Sequence, residues 1–255
     1  MDPLPMWEQN EPSDRIGMME NLHAQGYLAY WDALMELNPG LLMDACASGG
    51  RRNDLETMRR SVPFHYTDVG YGNHPVKQKQ YREMFEWIPY FRSHSTSWDD
   101  PETGSYEAKK GRELDEFAFY TALAPALSST VTYDDTEEHF ALSMKMHKIW
   151  REAAELELKG DYYPITECRC DSHDWYAMQF DYGEEKRGFI HVIRNVLAEN
   201  DSLIVVPPCV RDGMTYTFTD RDRGCVVTLS AEELKNGLTV ELPKRSGAVY
   251  FYTFD

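Results

Sequence analysis

The sequence predicts an α/β segment followed by an all-β segment: half of a (β/α)8 barrel, then an antiparallel β-sandwich. Three observations predict it. Before residue 160, helix-period patterns alternate with short apolar runs, as in parallel strands joined by helical crossovers. After Gly160 the apolar period switches to two, the mark of antiparallel strands. Pairs such as Tyr182-Gly183, Asp212-Gly213, Asn236-Gly237 and Ser246-Gly247 separate those runs with turn chemistry. The expected domains are a partial barrel over 1–160 and a β-sandwich over 161–255.

Each element has its local reason. Pro12-Ser13-Asp14 starts a helix that Asn38-Pro39-Gly40 stops, and Ile16, Met19, Leu22, Tyr27, Tyr30 and Leu34 give it one apolar face. Residues 41–43 read as a short buried strand, with 44–50 at its carboxyl end. Asn53 or Asp54 caps a helix to about residue 60, and 62–67 reads as the next strand. A helix over 75–85, a strand over 87–91, a helix over 115–124, a strand over 128–132 and a long helix over 137–158 follow. Four strands, each followed by a helix, amount to about half of an eight-stranded barrel. The sandwich strands are expected at 175–182, 188–196, 203–206, 214–219, 225–229, 238–242 and 248–254.

Composition excludes several functions. Lys and Arg number 26 against 43 Asp and Glu, for a net charge of −17. Such a chain repels phosphate backbones and anionic lipid surfaces, so neither nucleic acid nor membrane is an expected partner. No apolar run approaches the roughly 20 residues of a membrane helix. Met1-Asp2-Pro3-Leu4-Pro5 carries no basic or apolar leader, which points to a cytoplasmic location. The five cysteines (46, 168, 170, 209 and 225) are odd in number and scattered, which fits a reducing compartment. Cys168-Arg169-Cys170 lacks the second pair that a zinc site needs.

Two strand ends carry the candidate chemistry. The first is Asp44-Ala45-Cys46-Ala47-Ser48-Gly49-Gly50-Arg51-Arg52-Asn53-Asp54. Glycines at a strand end let backbone approach a ligand closely, and barrel active sites are built at the carboxyl ends of strands. A tight strand-to-helix turn explains the same glycines equally well. The second is Tyr66-Thr67-Asp68-Val69-Gly70, where a carboxylate just past a barrel strand enters the barrel mouth. Taken alone, Asp68 also reads as a turn or helix-cap residue.

Together the two strand ends resemble the melibiase group of glycoside hydrolases, best known for retaining α-galactosidases. The resemblance rests on Asp44, on Cys46-Ala47-Ser48-Gly49-Gly50 with Arg52 and Asp54, and on Asp68, 22 residues beyond Cys46. Arg51 stands where a third glycine is usual, and Thr67 where a serine is usual. Weaker similarities run through Asp2-Pro3-Leu4-Pro5, Lys159-Gly160-Asp161-Tyr162-Tyr163-Pro164, Met178-Gln179-Phe180-Asp181 and Tyr250-Phe251-Tyr252.

The resemblance implies the C-terminal half of the barrel plus the sandwich, and a two-carboxylate double displacement on a galactoside substrate. By it, Asp68 is the acid/base, Cys46 and the Gly49 backbone contact sugar hydroxyls, and Arg52 anchors a hydroxyl or Asp68. Simple packing is the other reading of Cys46. The nucleophile is expected three residues before Met1, so the chain is read as an inactive fragment that self-associates or pairs with an N-terminal half. No cofactor is implied, because carboxylates and water suffice for the reaction. Other α-linked sugars, transglycosylation and a non-catalytic sugar-binding remnant stay open. Trp87, Tyr90, Trp98, His65, His74 and His94 are further candidates near strand ends, each more simply core or loop. Glu137-Glu138 and the glutamates of 152–157 read as solvated helix faces, and His139 with His147 lacks a third metal ligand.

Overall fold

A computed structural model describes residues 5–46, 54–62, 68, 73–88, 90–96, 99–105, 115–129, 131 and 134–255. The chain divides into two compact units, Met1–Thr67 and Asp68–Asp255. The change of pattern at Gly160 falls inside the second unit.

The first unit is helical. Helix α1 covers Pro5–Asn10, α2 Met18–Leu37 and α3 Leu55–Met58. The Glu11 carboxylate accepts the Gly17 and Met19 amides and so fixes the turn into α2. None of the α2 side chains is buried, and Leu22 and Tyr30 are more than half exposed. The Asp54 side chain accepts the Thr57 amide at 2.9 Å and caps α3 as expected. Arg60 then ties α2 to the end of α3 through a two-pronged contact with Asp32. The strand expected at 41–43 is absent. Leu42 is 80% exposed there; the segment shows only a bridge at Ala45 and a bond from the Val62 amide to the Met43 carbonyl at 2.7 Å. Most of the strand expected at 62–67 lies outside the described residues.

The second unit opens with α4 (His74–Trp87), capped by the Asn73 side chain. Strand β1 (Arg92–His94) pairs in parallel with β2 (Ala126–Ser128), and α5 (Glu116–Tyr120) lies between them in sequence. The strand expected at 87–91 is displaced because α4 runs on to Trp87 and the Ile88 amide still bonds to the Met84 carbonyl. Asp115 caps α5, and Thr136 caps the long helix α6 (Glu137–Lys159).

From Asp161 the chain is almost entirely strand: β3 (Asp161–Pro164), β4 (Trp175–Tyr182), β5 (Arg187–Arg194), β6 (Ser202–Val205), β7 (Thr215–Asp220), β8 (Val226–Ser230), β9 (Leu238–Glu241) and β10 (Ser246–Phe254). A six-stranded antiparallel sheet has the order β3-β4-β5-β10-β7-β8, and β6 with β9 forms a separate antiparallel pair. Helix α7 (Ala231–Asn236) begins with a capping box of Ser230 and Glu233.

The sandwich is thus lopsided, and the β4–β5 part of the large sheet is covered on both sides. Trp175, Ala177, Ile190, Val192, Tyr216, Phe218 and Tyr252 pack with Val205 and Val240 of the small sheet and Leu234 of α7. The alternate residues face the helices. Phe85 of α4 meets Phe180 edge-on at 4.9 Å, and α6 packs on β4 and β5. Period two sends successive side chains to opposite faces. β4 and β5 are therefore buried almost throughout instead of alternating.

Candidate functional site

The site residues expected from the sequence are only partly described. Cys46 is an exposed thiol beside buried Ala45, and Asp68 is an exposed residue at the start of the second unit. The two therefore belong to different compact units. Gly49 and Arg52 lie outside the described residues, as do His65 and Trp98. Asp54 of the same motif serves as the α3 cap. Trp87 is 82% exposed, at the end of α4, and Tyr90 is 48% exposed.

The described residues do build one polar cluster, where the parallel pair ends. The Ser95 amide continues the β1–β2 pairing by donating to the Ser128 carbonyl at 3.1 Å. Lys77, buried on α4, donates Nζ to the His94 carbonyl at 3.1 Å. Burial pushes this amine down to about 7, against the pull of Asp115 and Asp99.

His74, the first residue of α4, is also buried. Its Nε2 lies 3.1 Å from Asp99 Oδ1, and its Nδ1 lies 2.7 Å from Thr121 Oγ1. Burial lowers its pKa despite Asp99. A neutral ring donates Nε2–H to Asp99, while the one Thr121 O–H is shared between His74 Nδ1 and the Ala118 carbonyl at 3.0 Å.

Arg245 completes the cluster from the turn between β9 and β10. Its guanidinium contacts Asp99 at 3.0 Å and Asp115 at 2.9 Å, and it lies 4.8 Å from the centre of the Phe117 ring. Its backbone is left-handed, with φ 55°, which an arginine adopts at a cost. The two ion pairs and the ring contact hold it there. This cluster ties α4, the segment after β1, the α5 cap and the β10 entry into one unit. Its chemistry is positional: it holds a strand end with buried, paired charge.

Sequence reasoning marked His74 but missed Lys77, Asp99 and Arg245, because burial decides their character and no local pattern announces it. It also misread Glu157, taken as part of a solvated face. Glu157 is 2% exposed and burial pushes its carboxyl up to about 8. The neighbouring glutamates behave as expected: Glu152 meets Arg221, and Glu155 meets Lys159 and Arg187. The five cysteines are free thiols. Among the described residues, no three His, Cys, Asp or Glu side chains gather as a metal site, and no helix is long and apolar enough to cross a membrane.

No family model matches this sequence, and no curated protein matches it. Solved structures do match its fold. The GH36 alpha-galactosidase AgaB from Geobacillus stearothermophilus superposes over 96% of this chain with TM-score 0.74 at 15% identity. The alpha-galactosidase from Lactobacillus brevis does so over 96% with TM-score 0.74 at 14% identity. A variant of AgaA from Geobacillus stearothermophilus, solved with raffinose, matches over 96% with TM-score 0.73 at 12% identity. In each case the match covers 33% of the solved chain, so this sequence spans about a third of their length. The resemblance drawn from the Cys46 and Asp68 motifs is thereby met at the level of fold: these 255 residues fold like one third of a GH36 alpha-galactosidase chain.

Proposed function

We propose that this chain forms part of a retaining glycoside hydrolase acting on terminal α-galactosides, with Asp68 as its general acid/base. In this reading 1–160 is the C-terminal half of a (β/α)8 barrel and 161–255 is its β-sandwich. The observation that carries it is the fold likeness over 96% of the chain to an alpha-galactosidase, in a sequence that sets Asp68 22 residues past Cys46. The parallel pairing of β1 with β2 also fits a barrel-type arrangement.

The chemistry is a double displacement. A carboxylate attacks the anomeric carbon while Asp68 protonates the departing oxygen. Asp68 then takes a proton from water, which releases the sugar with its configuration retained. The attacking carboxylate is the one the resemblance puts on the strand preceding Asp2-Pro3. Cys46 and the Gly49 backbone hold sugar hydroxyls, and Arg52 anchors a hydroxyl or Asp68. The exposed apolar residues of α2, such as Leu22 and Tyr30, suit a covering partner: the remaining barrel strands or a second copy of the chain.

The test joins the preceding barrel strands of AgaB to this chain and measures raffinose hydrolysis. Turnover is expected, with an Asp68→Asn variant slower by about 10²–10⁴-fold, the usual worth of a general acid/base. A folded but inert fusion, or turnover indifferent to Asp68→Asn, overturns the proposal. Galactose binding without turnover would favour the non-catalytic reading.

A further inference from the structure

The large sheet ends in two unlike edges. At one end β3 is short, carries Asp161 and Pro164, and meets α4 through Tyr162, whose ring centre lies 5.2 Å from that of Phe85. Charge, proline and a covering element are usual guards of an exposed edge. At the other end Cys225-Val226-Val227-Thr228-Leu229-Ser230 holds no charged residue and no proline. The register of β8 with β7 runs from Val226 to Ser230 without a bulge. Among the described residues no strand pairs with its outer side, and Val226 is 62% exposed. We propose that β8 pairs with the β8 of a second copy of this chain, antiparallel across a two-fold axis.

The ladder to β7 decides which main-chain groups are free to pair. The Cys225 carbonyl accepts the Asp220 amide, and the Met214 carbonyl accepts the Ala231 amide, both at 2.9 Å. Main-chain groups alternate in direction along an antiparallel strand. Residues 225, 227, 229 and 231 therefore turn theirs towards β7, and Val226, Thr228 and Ser230 turn theirs outward. The Ser230 amide is held by the Glu233 carboxylate at 2.8 Å. The open edge thus offers the N–H and C=O of Val226 and Thr228. Two such edges match when Val227 stands opposite the Val227 of the second copy. Val226 of each copy then faces Thr228 of the other, and four N–H···O bonds form. Centring on Thr228 would instead set Val226 against Ser230, whose amide the cap already holds.

The side chains suit the same axis. Val227 is in register with Phe218, a core residue, so it lies on the sandwich face. It is 39% exposed, and a non-hydrogen-bonded pair brings its side chains closest. Pairing covers two valines that each core leaves open. Such a two-fold contact is self-complementary, and so are its flanks. Antiparallel pairing sets the 221–223 turn of one copy, with the part-exposed Arg221 and Arg223, beside the start of α7 of the other, where Glu232 is exposed. The net charge of −17 opposes approach over most of the surface. An uncharged edge between opposite charges is where two copies meet at least cost.

The pairing needs nothing from the role given to Asp68. One strand edge is a small interface, so a weak dimer is expected, with a Kd below about 100 µM. Sedimentation of the 255-residue chain reads it. Thr228→Pro removes an outward N–H and leaves the β7 ladder intact, as proline does on edge strands. Val227→Lys sets two like charges face to face. Each should weaken dimerisation about tenfold or more, whereas Ile204→Lys, at an exposed position of the small sheet, should leave it unchanged. In the unsubstituted chain, hydrogen exchange at the Val226 and Thr228 amides should slow as protein concentration rises. That readout decides if the substituted chains fail to fold. A monomer at about 300 µM, a dimer that survives both β8 substitutions, or one that Leu22→Lys on α2 dissolves while the β8 amides stay unprotected, overturns the proposal.

Discussion

Gln78 and Asn195, 117 residues apart, exchange two amide hydrogen bonds in the core of the second unit. Gln78 Nε2 donates to Asn195 Oδ1 at 2.8 Å, and Asn195 Nδ2 donates to Gln78 Oε1 at 2.9 Å. Both side chains are 2% exposed. The pair joins α4 to the end of β5, the helical layer to the sheet. Replacing either residue alone by Ala strands the other amide. Each single substitution should cost about 1–3 kcal/mol. The double substitution should cost less than the sum, which urea denaturation of a double-mutant cycle would measure.

The Asp99–Arg245 pair should matter far more than the surface ion pairs. Asp99 is 2% exposed and holds both Arg245 and His74. Asp99→Ala takes one carboxylate from Arg245, leaving it Asp115, and takes the acceptor from the buried His74 Nε2, and should destabilise by about 3 kcal/mol. The pair of Lys79 with Glu83 is similar in length at 2.9 Å but solvent-exposed. Its removal should leave the denaturation midpoint almost unmoved. Equal losses in chemical denaturation would contradict the assignment of the buried cluster as the structural tie.

Glu157 should make the protein prefer acid. Its folded pKa is raised to about 8 from 4.5. Below pH 4.5 both folded and unfolded states hold the proton, and the stabilising contribution is complete. As the pH rises towards 8 the unfolded chain ionises first, so stability is lost across that window, by up to about 1.4 kcal/mol per pH unit. Glu157→Leu should therefore raise the melting temperature at pH 8 and change it little near pH 4. A melting-temperature difference that does not depend on pH would refute this.

Gly188 should tolerate no side chain. A Cβ there would stand 2.3 Å from the Phe180 carbonyl oxygen and 2.4 Å from the Tyr252 hydroxyl. That hydroxyl donates to Asp181 Oδ1 at 2.8 Å. Asp181 in turn makes a two-pronged pair with Arg211. Gly188→Ala should cost about 1–3 kcal/mol by overpacking, read as a shift of the denaturation midpoint without a change of slope.

Much of this architecture is legible in the chain itself. Asp54 accepts an amide as the expected cap, and the helices expected from 115 and 137 start there with Asp115 and Thr136 as caps, because a cap is a contact within three residues. The strand expected at 175–182 lies at Trp175–Tyr182, because period two is a local pattern. Strand β3 went unread, and α7 was overlooked although Ser230 and Glu233 spell its capping box. Of the expected site, the Asp44–Asp54 motif and Asp68 take their roles from the resemblance carried by those residues.

The sequence by itself therefore determined the starts of the helices at Leu55, Glu116 and Glu137 but not that at Met18, the switch to strands after Gly160 and the motifs that make Asp68 the acid/base candidate. Tertiary structure alone decided which face of each strand meets what. The large sheet is buried on both sides at β4 and β5, so β4 does not alternate, whereas β7 does. It also decided which charged groups lose water: Lys77, Asp99 and Glu157 are ordinary surface residues in any local window, and all three are buried. The physical reason is one of range. Caps and periodicity are set within a turn or a strand, whereas desolvation depends on elements that approach from far along the chain.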